Sequence, residues 1–542
     1  MYKHCINSNC RFAPFIADAI RDPIREKIEN CKALSIMYDG ATDTSVSEVE
    51  IIYVRLLQDG YPKDYFVGLV DLEHAHADGV FTAIDTAMNN HGSLHWKEKV
   101  VGGGSDGASV NIGKNNSVAT RLSDGRPYVL NVHCVAHRLE LSILNAIKAN
   151  PILVTVQDML KKIYKHYHYS PKALRELRTI AESLEEKSIK PTNLSGTRWV
   201  PHISAAIKCL LKNYIVILSH FEHVSQSKAT PEVVGRATFL AQKMKNYKVL
   251  TFMFFMDDLL TIVSNLSLQF QKDGATCLDF LDSLQAAILD LIQLRQAPGS
   301  KLQELLDNID HRDNKVYYKN TEVKSHAPFD YTSYQGIIDV MIDKVTGRLE
   351  NPNDPTKAVL QATQIFDTSD WPVDRQQLAV YGTQQVQLLE AHFEQLLDHI
   401  GCDRAQLQQE WVQVKAHLGN RRVNNIIPKI NSLFTIDGDR FKNILMLIET
   451  VLVLPISSAI CERGFSAVKR IKSDWRSNLR TETMNHLLLA AIEGPALEDY
   501  NAERVVHSWW NGGQRERRPK FDGEGANHVT EDELLNFMLN VA

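Results

Sequence analysis

The 542-residue sequence has no uninterrupted apolar run of about 18 residues, the length a helix needs to cross a bilayer, so no membrane partner is expected. Its opening, MYKHCINSNCRFAP, lacks the apolar segment of a secretory signal. A dense cysteine framework is also missing. Cys5, Cys10, Cys31, Cys134, Cys209, Cys277, Cys402 and Cys461 are scattered as a reduced intracellular compartment permits. No excess of one charge stands out: 60 Lys and Arg face 65 Asp and Glu, a formal net charge of −5. Any contact with nucleic acid must therefore come from local patches. No Gly-x-Ser-x-Gly elbow or Walker loop is present, so the common signatures of hydrolases and nucleotidases are absent and no small-molecule substrate is expected. What remains is an ordinary globular composition, 44% hydrophobic and 23% charged, in a chain long enough for several domains.

The residues present change character along the chain. Ala33–Tyr38 is an apolar run closing on Asp39-Gly40, which predicts a strand and then a turn. Glu50–Leu57 and Tyr65–Leu72 read as two further strands around the turn-like QDGYPKD. Val80–Met88 is helical in spacing, Val100–Gly104 is a strand closing on Ser105-Asp106-Gly107, Tyr128–Val132 is another strand, and Ala136–Lys148 is a helix. This order predicts a sheet with an antiparallel edge and a parallel remainder. From residue 151 to about 440 the periodicity is helical, as in Phe280–Leu294 and Gln376–Ile400. Breaks fall at Lys190–Gly196, Ala297–Ser300, Asn351–Pro355 and Asp437–Asp439. Ile444–Ile492 is again helical, and the tail from Gly494 reads as polar and loose.

Asp39 and Asp106 each close an apolar strand and each precede a glycine. Neighbouring strand ends can bring two such carboxylates to one pair of hard metal ions, and each can equally initiate a turn. Far along the chain, PISSAICERGFS places Glu462 near the start of a helix whose Phe465, Val468, Ile471 and Trp475 share one face. That glutamate either completes an acidic site or simply favours the helix dipole.

The ordered set DGATD, SDGASVNIGK, HCVAHRLEL, GTRW and SSAICERGFSAVKRIKSDWRSNL resembles the hAT-superfamily transposases (hobo, Activator and Tam) and their domesticated vertebrate relatives, over about residues 30–493. The resemblance implies an α/β plus all-α chain, an RNase H-like nuclease core interrupted by a long all-helical insertion. It divides the chain into an N-terminal segment (1–30), the first part of the core (31–150), the insertion (151–440), the rest of the core with a dimerisation region (441–493) and a polar tail (494–542). It implies Asp39, Asp106 and Glu462 as catalytic acids holding Mg²⁺ or Mn²⁺ for phosphoryl transfer on DNA. It further implies nuclear localisation and self-association through the C-terminal region. The first motif departs from the family in carrying Ala41 where an aromatic is usual, with Asp43 as an adjacent acid. The family's BED-type zinc finger needs two ligand pairs, which His4, Cys5 and Cys10 do not supply. That departure leaves room for a domesticated regulator without transposition activity.

Other residues acquire roles beside these. Cys134 and His137 stand at the family's Cys-x-x-His, either orienting a carboxylate or phosphate or acting as a buried thiol with a bonded histidine. Zinc would need a second pair that the surrounding sequence lacks. In the family the tryptophan of the Arg-Trp motif stacks on a flipped base, which implies that role for Trp199 and phosphate contact for Arg198. Without the resemblance Trp199 reads as a core residue. Two basic stretches, Lys161–Arg178 with Lys161 and Lys162, and Arg463–Arg480 with Arg463 and Lys469, either track DNA or form solvated helix faces. The tail's RERRPK at Arg515–Lys520 is a weak import-like patch.

Overall fold

The computed structural model describes residues 2–42, 47–148, 150–194, 198–313, 315–324, 329–349, 357–419, 432–435, 438–473, 476 and 478–511. Asp43, Thr197, Trp475, Asn351–Pro355 and Arg515–Lys520 lie outside them, as do the side chains of His4, Cys5 and Cys10.

The chain opens with α1 (Tyr2–Asn30), which buries Ala17, Ile24 and Ile28. Pro14 and Pro23 inside this segment hid its helical pattern from the sequence reading. Five strands follow: β1 (Leu34–Thr42), β2 (Glu48–Gln58), β3 (Tyr61–Asp71), then β4 (Val100–Ser105) after α2 (Ala77–Asn90), then β5 (Leu130–His133). They form one sheet in the order β3-β2-β1-β4-β5. β1, β2 and β3 are antiparallel, whereas β4 and β5 run parallel to β1, as the sequence predicts. Asp59 and Gly60, with φ of 51° and 80°, make the tight turn between β2 and β3. One expectation is overturned here. Asp39-Gly40 is not a turn: β1 runs on to Thr42 because β2 supplies antiparallel partners as far as Glu48.

After α3 (Val135–Ile147) come α4 (Pro151–His168), α5 (Trp199–Lys212) and α6 (Tyr247–Phe270), the last at the centre of the helical region. By length and composition α6 is apolar enough to cross a membrane, and 78% of its most apolar window is buried inside the protein. Asp257 and Asp258 interrupt its apolar run, which is why a search for unbroken runs passes over it. The region is not all helical. Ile309–Arg312 (β6), Lys315–Tyr318 (β7) and Thr321–Val323 (β8) form a small antiparallel sheet, turned at Lys319 and Asn320 with φ of 48° and 61°. The short β-prone segments around Tyr317 and Val323 won over the helical surroundings because a two-residue turn of this type closes a hairpin. Gln376–Ile400 is likewise broken into short helices, Arg375–Val380, Thr383–His392 and Glu394–His399. α7 (Thr332–Leu349) packs on α3 and so joins this region to the sheet.

The chain then returns through α8 (Lys442–Leu452), α9 (Ala459–Ile471) and α10 (Thr481–Glu493). β3 is an edge strand, and α10 covers it: the Asn485 side chain donates to the Leu69 carbonyl and accepts from its N–H, both at 2.6 Å, and Glu493 accepts from the Phe66 N–H at 2.7 Å. Pairing of this kind blocks addition of a foreign strand. The tail is less loose than expected. α11 (Glu503–Asn511) packs on α1, with the Phe12 and Trp509 rings stacked 4.5 Å apart.

Candidate functional site

The site begins at the carboxyl end of the parallel strands. Met37 of β1 is paired with Gly104 of β4, and two residues on from each stand Asp39, within β1, and Asp106, just past the end of β4. The register therefore brings the two acids abreast. Asp106 does initiate a turn: its Oδ1 accepts from the Ala108 N–H at 3.0 Å and from the Asn111 side-chain amide at 2.7 Å. Asp39 pairs with Ile51 of β2 and shares its face of the sheet.

That face carries α9. A Cβ on Gly464 would fall 2.4 Å from Ile51 Cδ1 and 2.5 Å from the Tyr53 hydroxyl, so only glycine lets α9 lie this close to β2. The segment leading into α9 lies across β4, where a Cβ on Gly102 would meet the Pro455 ring at 2.5 Å. Cys134 secures the same segment. Its buried Sγ accepts from the Ser458 N–H at 3.3 Å and lies 3.5 Å from the Ser457 hydroxyl, while the Val135 N–H donates to the Ile456 carbonyl. The described hydrogen bonds of the Cys134 thiol thus go to Ser457 and Ser458 and not to Asp39, Asp106 or Glu462; Cys134 fixes the start of the helix whose first turn holds Glu462. His137 lies beside His133, ring centroids 5.7 Å apart, and the His133 ring covers Gly107.

Charge shows that the acids share one neighbourhood. The Asp39 carboxyl is pushed up to about 7, first by burial and then by the negative charges of Asp106 and Glu462. A backbone N–H and Arg198 oppose the rise only in part. A fourth acid, Glu50, escaped the sequence reading because it looks like the polar start of a strand. It is 2% exposed, its Oε1 has no hydrogen-bond partner, and burial followed by Asp39 and Asp106 holds it well above the usual range. Glu50 pairs with Gly40, so it occupies the face opposite Asp39.

Arg198 lies over Glu462. Its Nε is 2.5 Å from Oε2 and its Nη2 donates to Oε1, a two-pronged ion pair. Among the described residues no group of three His, Cys, Asp or Glu side chains is assembled to hold a metal ion. The donor chemistry is the kind a hard divalent cation takes: Asp39 is a carboxylate whose ionisation is opposed by the charges of two further carboxylates, Asp106 and Glu462.

The structure also places the remaining candidates. Arg198 and Trp199 stand at the start of α5, held by a residue the sequence did not reveal. Glu140 of α3 accepts from the backbone N–H groups of Trp199 and Val200, the latter at 3.2 Å. Its spacing within HRLEL marks only a helix face, so nothing local signals the distant partner. The Trp199 ring is half-buried against the core. Arg463 is tied to the Asp273 carboxylate and, at 2.6 Å, to the Gln271 carbonyl. Lys469 is exposed on the last turn of α9. Lys161 is exposed on α4, and Lys162 pairs with Asp158 at 2.7 Å and lies over the Phe239 ring. Neither lysine is brought to the acids by a described contact. The apolar residues Leu445, Leu447, Ile448, Val451, Leu452 and Val453, which suit a dimer contact or core packing equally, are buried inside this chain.

One comparison bears on the site. Residues 10–116 match the family model described as the ZMYM1/FAM200, RNase-like domain. The match takes in β1 to β4 with Asp39, Glu50 and Asp106, and ends well before Glu462. The part of the chain that carries the first two acids is thus similar to an RNase-like domain.

Proposed function

We propose that this chain is a transposase-derived protein with an RNase H-like core, interrupted by the largely helical region, that performs metal-dependent phosphoryl transfer on DNA. The observation that supports the reading is that Asp39 feels the negative charges of both Asp106 and Glu462, which come from opposite ends of the sequence. Asp39, Asp106 and Glu462 would hold Mg²⁺ or Mn²⁺. Bound there, such an ion supplies Lewis acidity and a more acidic water at neutral pH. The protein's own part is positioning and charge. Asp106 is pre-set by Ala108 and Asn111, and Glu462 by the Cys134 clamp. Trp199 offers a flat face for an unpaired base beside the acids, and Arg198 a guanidinium for phosphate. Lys161, Lys162 and Lys469 are proposed contacts to the DNA backbone, and the nucleus is the compartment such a substrate requires. The test is nicking or strand transfer on duplex DNA with and without Mn²⁺. Asp39→Asn and Glu462→Gln should each lower the rate by about two orders of magnitude or more, the scale on which loss of one preorganised charge-stabilising group acts. Unchanged rates refute the assignment.

A second reading is a self-associating regulator that keeps the fold without the chemistry. The ion pair that engages both oxygens of Glu462 favours it. No divalent-dependent cleavage by the wild-type chain, combined with a stable oligomer in sedimentation, would select this reading.

A further inference from the structure

We propose that Arg198 is a built-in counter-cation of the acidic site, holding Glu462 in the free protein and yielding it when a divalent ion enters. The inference rests on the metal-binding reading above. Asp39 lies in the field of both Asp106 and Glu462, yet no metal-holding group of three is assembled among the described residues. One of them, Glu462, is already taken by a cation of the chain itself. Both Glu462 oxygens are engaged by the guanidinium of Arg198, whose side chain is only 14% exposed. An arginine cannot lose its charge under ordinary conditions, so a divalent ion that takes Glu462 competes with a permanent positive charge.

The surroundings make that exchange local. Glu140 fixes the backbone at Trp199 and Val200, immediately after Arg198, while Cys134 fixes the start of α9. Both ends of the ion pair are therefore anchored through the main chain. The arginine side chain is the part left to swing, away from Glu462 and toward the phosphate of a bound strand. Arg198 is on this view a positioning residue that sets the order of loading.

Mn²⁺ calorimetry without DNA tests this on full-length wild type, Arg198→Gln, Glu462→Gln and the double variant, with melting curves to confirm folding. Removing the competing charge should tighten Mn²⁺ binding by about tenfold in Arg198→Gln, the scale of outer-shell effects on metal affinity. Glu462→Gln should weaken binding, and the Arg198 effect should vanish in the double variant. Equal or weaker binding by Arg198→Gln overturns the proposal and leaves the metal site standing. Absence of binding in all four overturns the acidic site itself, and the counter-cation with it. Should Arg198→Gln fail to fold, Arg198→Lys replaces it: a single ammonium cannot engage both oxygens in a fork, so intermediate tightening is expected and none overturns the idea.

Discussion

A carboxyl that titrates near neutrality leaves a mark on stability. Asp39 binds its proton more tightly in the folded chain than in the unfolded one, with a folded pKa of about 7 against an ordinary 3.8. Its contribution is therefore fully present below about pH 4 and is lost as pH rises through 7. Metal-free thermal melts should show Asp39→Asn flattening the decline in stability between about pH 4 and 7, relative to wild type. A parallel decline in both proteins would show that the burden lies elsewhere. Glycine supplies a second residue-level contrast. Gly464→Ala forces a methyl into Ile51 and Tyr53 and should cost about 1–3 kcal/mol in urea unfolding. Gly235, also inside a helix, has nothing within 4 Å of its missing Cβ, and Gly235→Ala should stabilise by about 0.5–1 kcal/mol. Equal effects at the two positions would refute the close approach of α9 to β2. The sequence makes Asp39 and Asp106 legible because each follows an apolar run. Glu50 is not legible, since its burial depends on partners across two strands.

For single elements, α5 depends on a neighbour for its start. Glu140 takes up two N–H groups that a helix leaves without partners, and Arg198 at the N-cap makes no side-chain capping bond of its own. Glu140→Ala should cost about 0.5–2 kcal/mol and speed amide exchange at Trp199 and Val200, while β1 stays protected. Unaltered exchange at those two amides would mean that Glu140 does not anchor the helix. Elements with strong local patterns were readable: β1 to β5, α2 and α3 fall within a few residues of their predicted places. Elements set by competing signals were not. Prolines masked α1, a turn of two left-handed residues produced β6 to β8, and the antiparallel partner strand drew β1 past Asp39. Glu462 could be placed at a helix start from its own surroundings, but its charge acting on Asp39 is a tertiary matter. Only the motif order pointed to it.

At the level of the whole molecule, the helical region and the sheet are joined by charges as well as by apolar packing. Arg55 of β2 forms a buried pair with Asp64 of β3 at 2.7 Å and donates to the Ala275 carbonyl of the helical region, also at 2.7 Å. Arg463 reaches the same loop at Gln271 and Asp273. Arg55→Met would strand Asp64 as a buried charge and should cost about 3–5 kcal/mol. Unfolding followed by separate probes should then split into two transitions, because the loop loses its hold on β2. A single coincident transition at an unchanged midpoint would show that the pair is dispensable. The route of the chain has one more consequence, in the order in which a ribosome makes it. Asp39 and Asp106 emerge early, and Glu462 only after more than three hundred further residues. A chain that stops short of Glu462 carries two acids and no third, so on the proposed reading the capacity to cut DNA would arise only once Glu462 has been made.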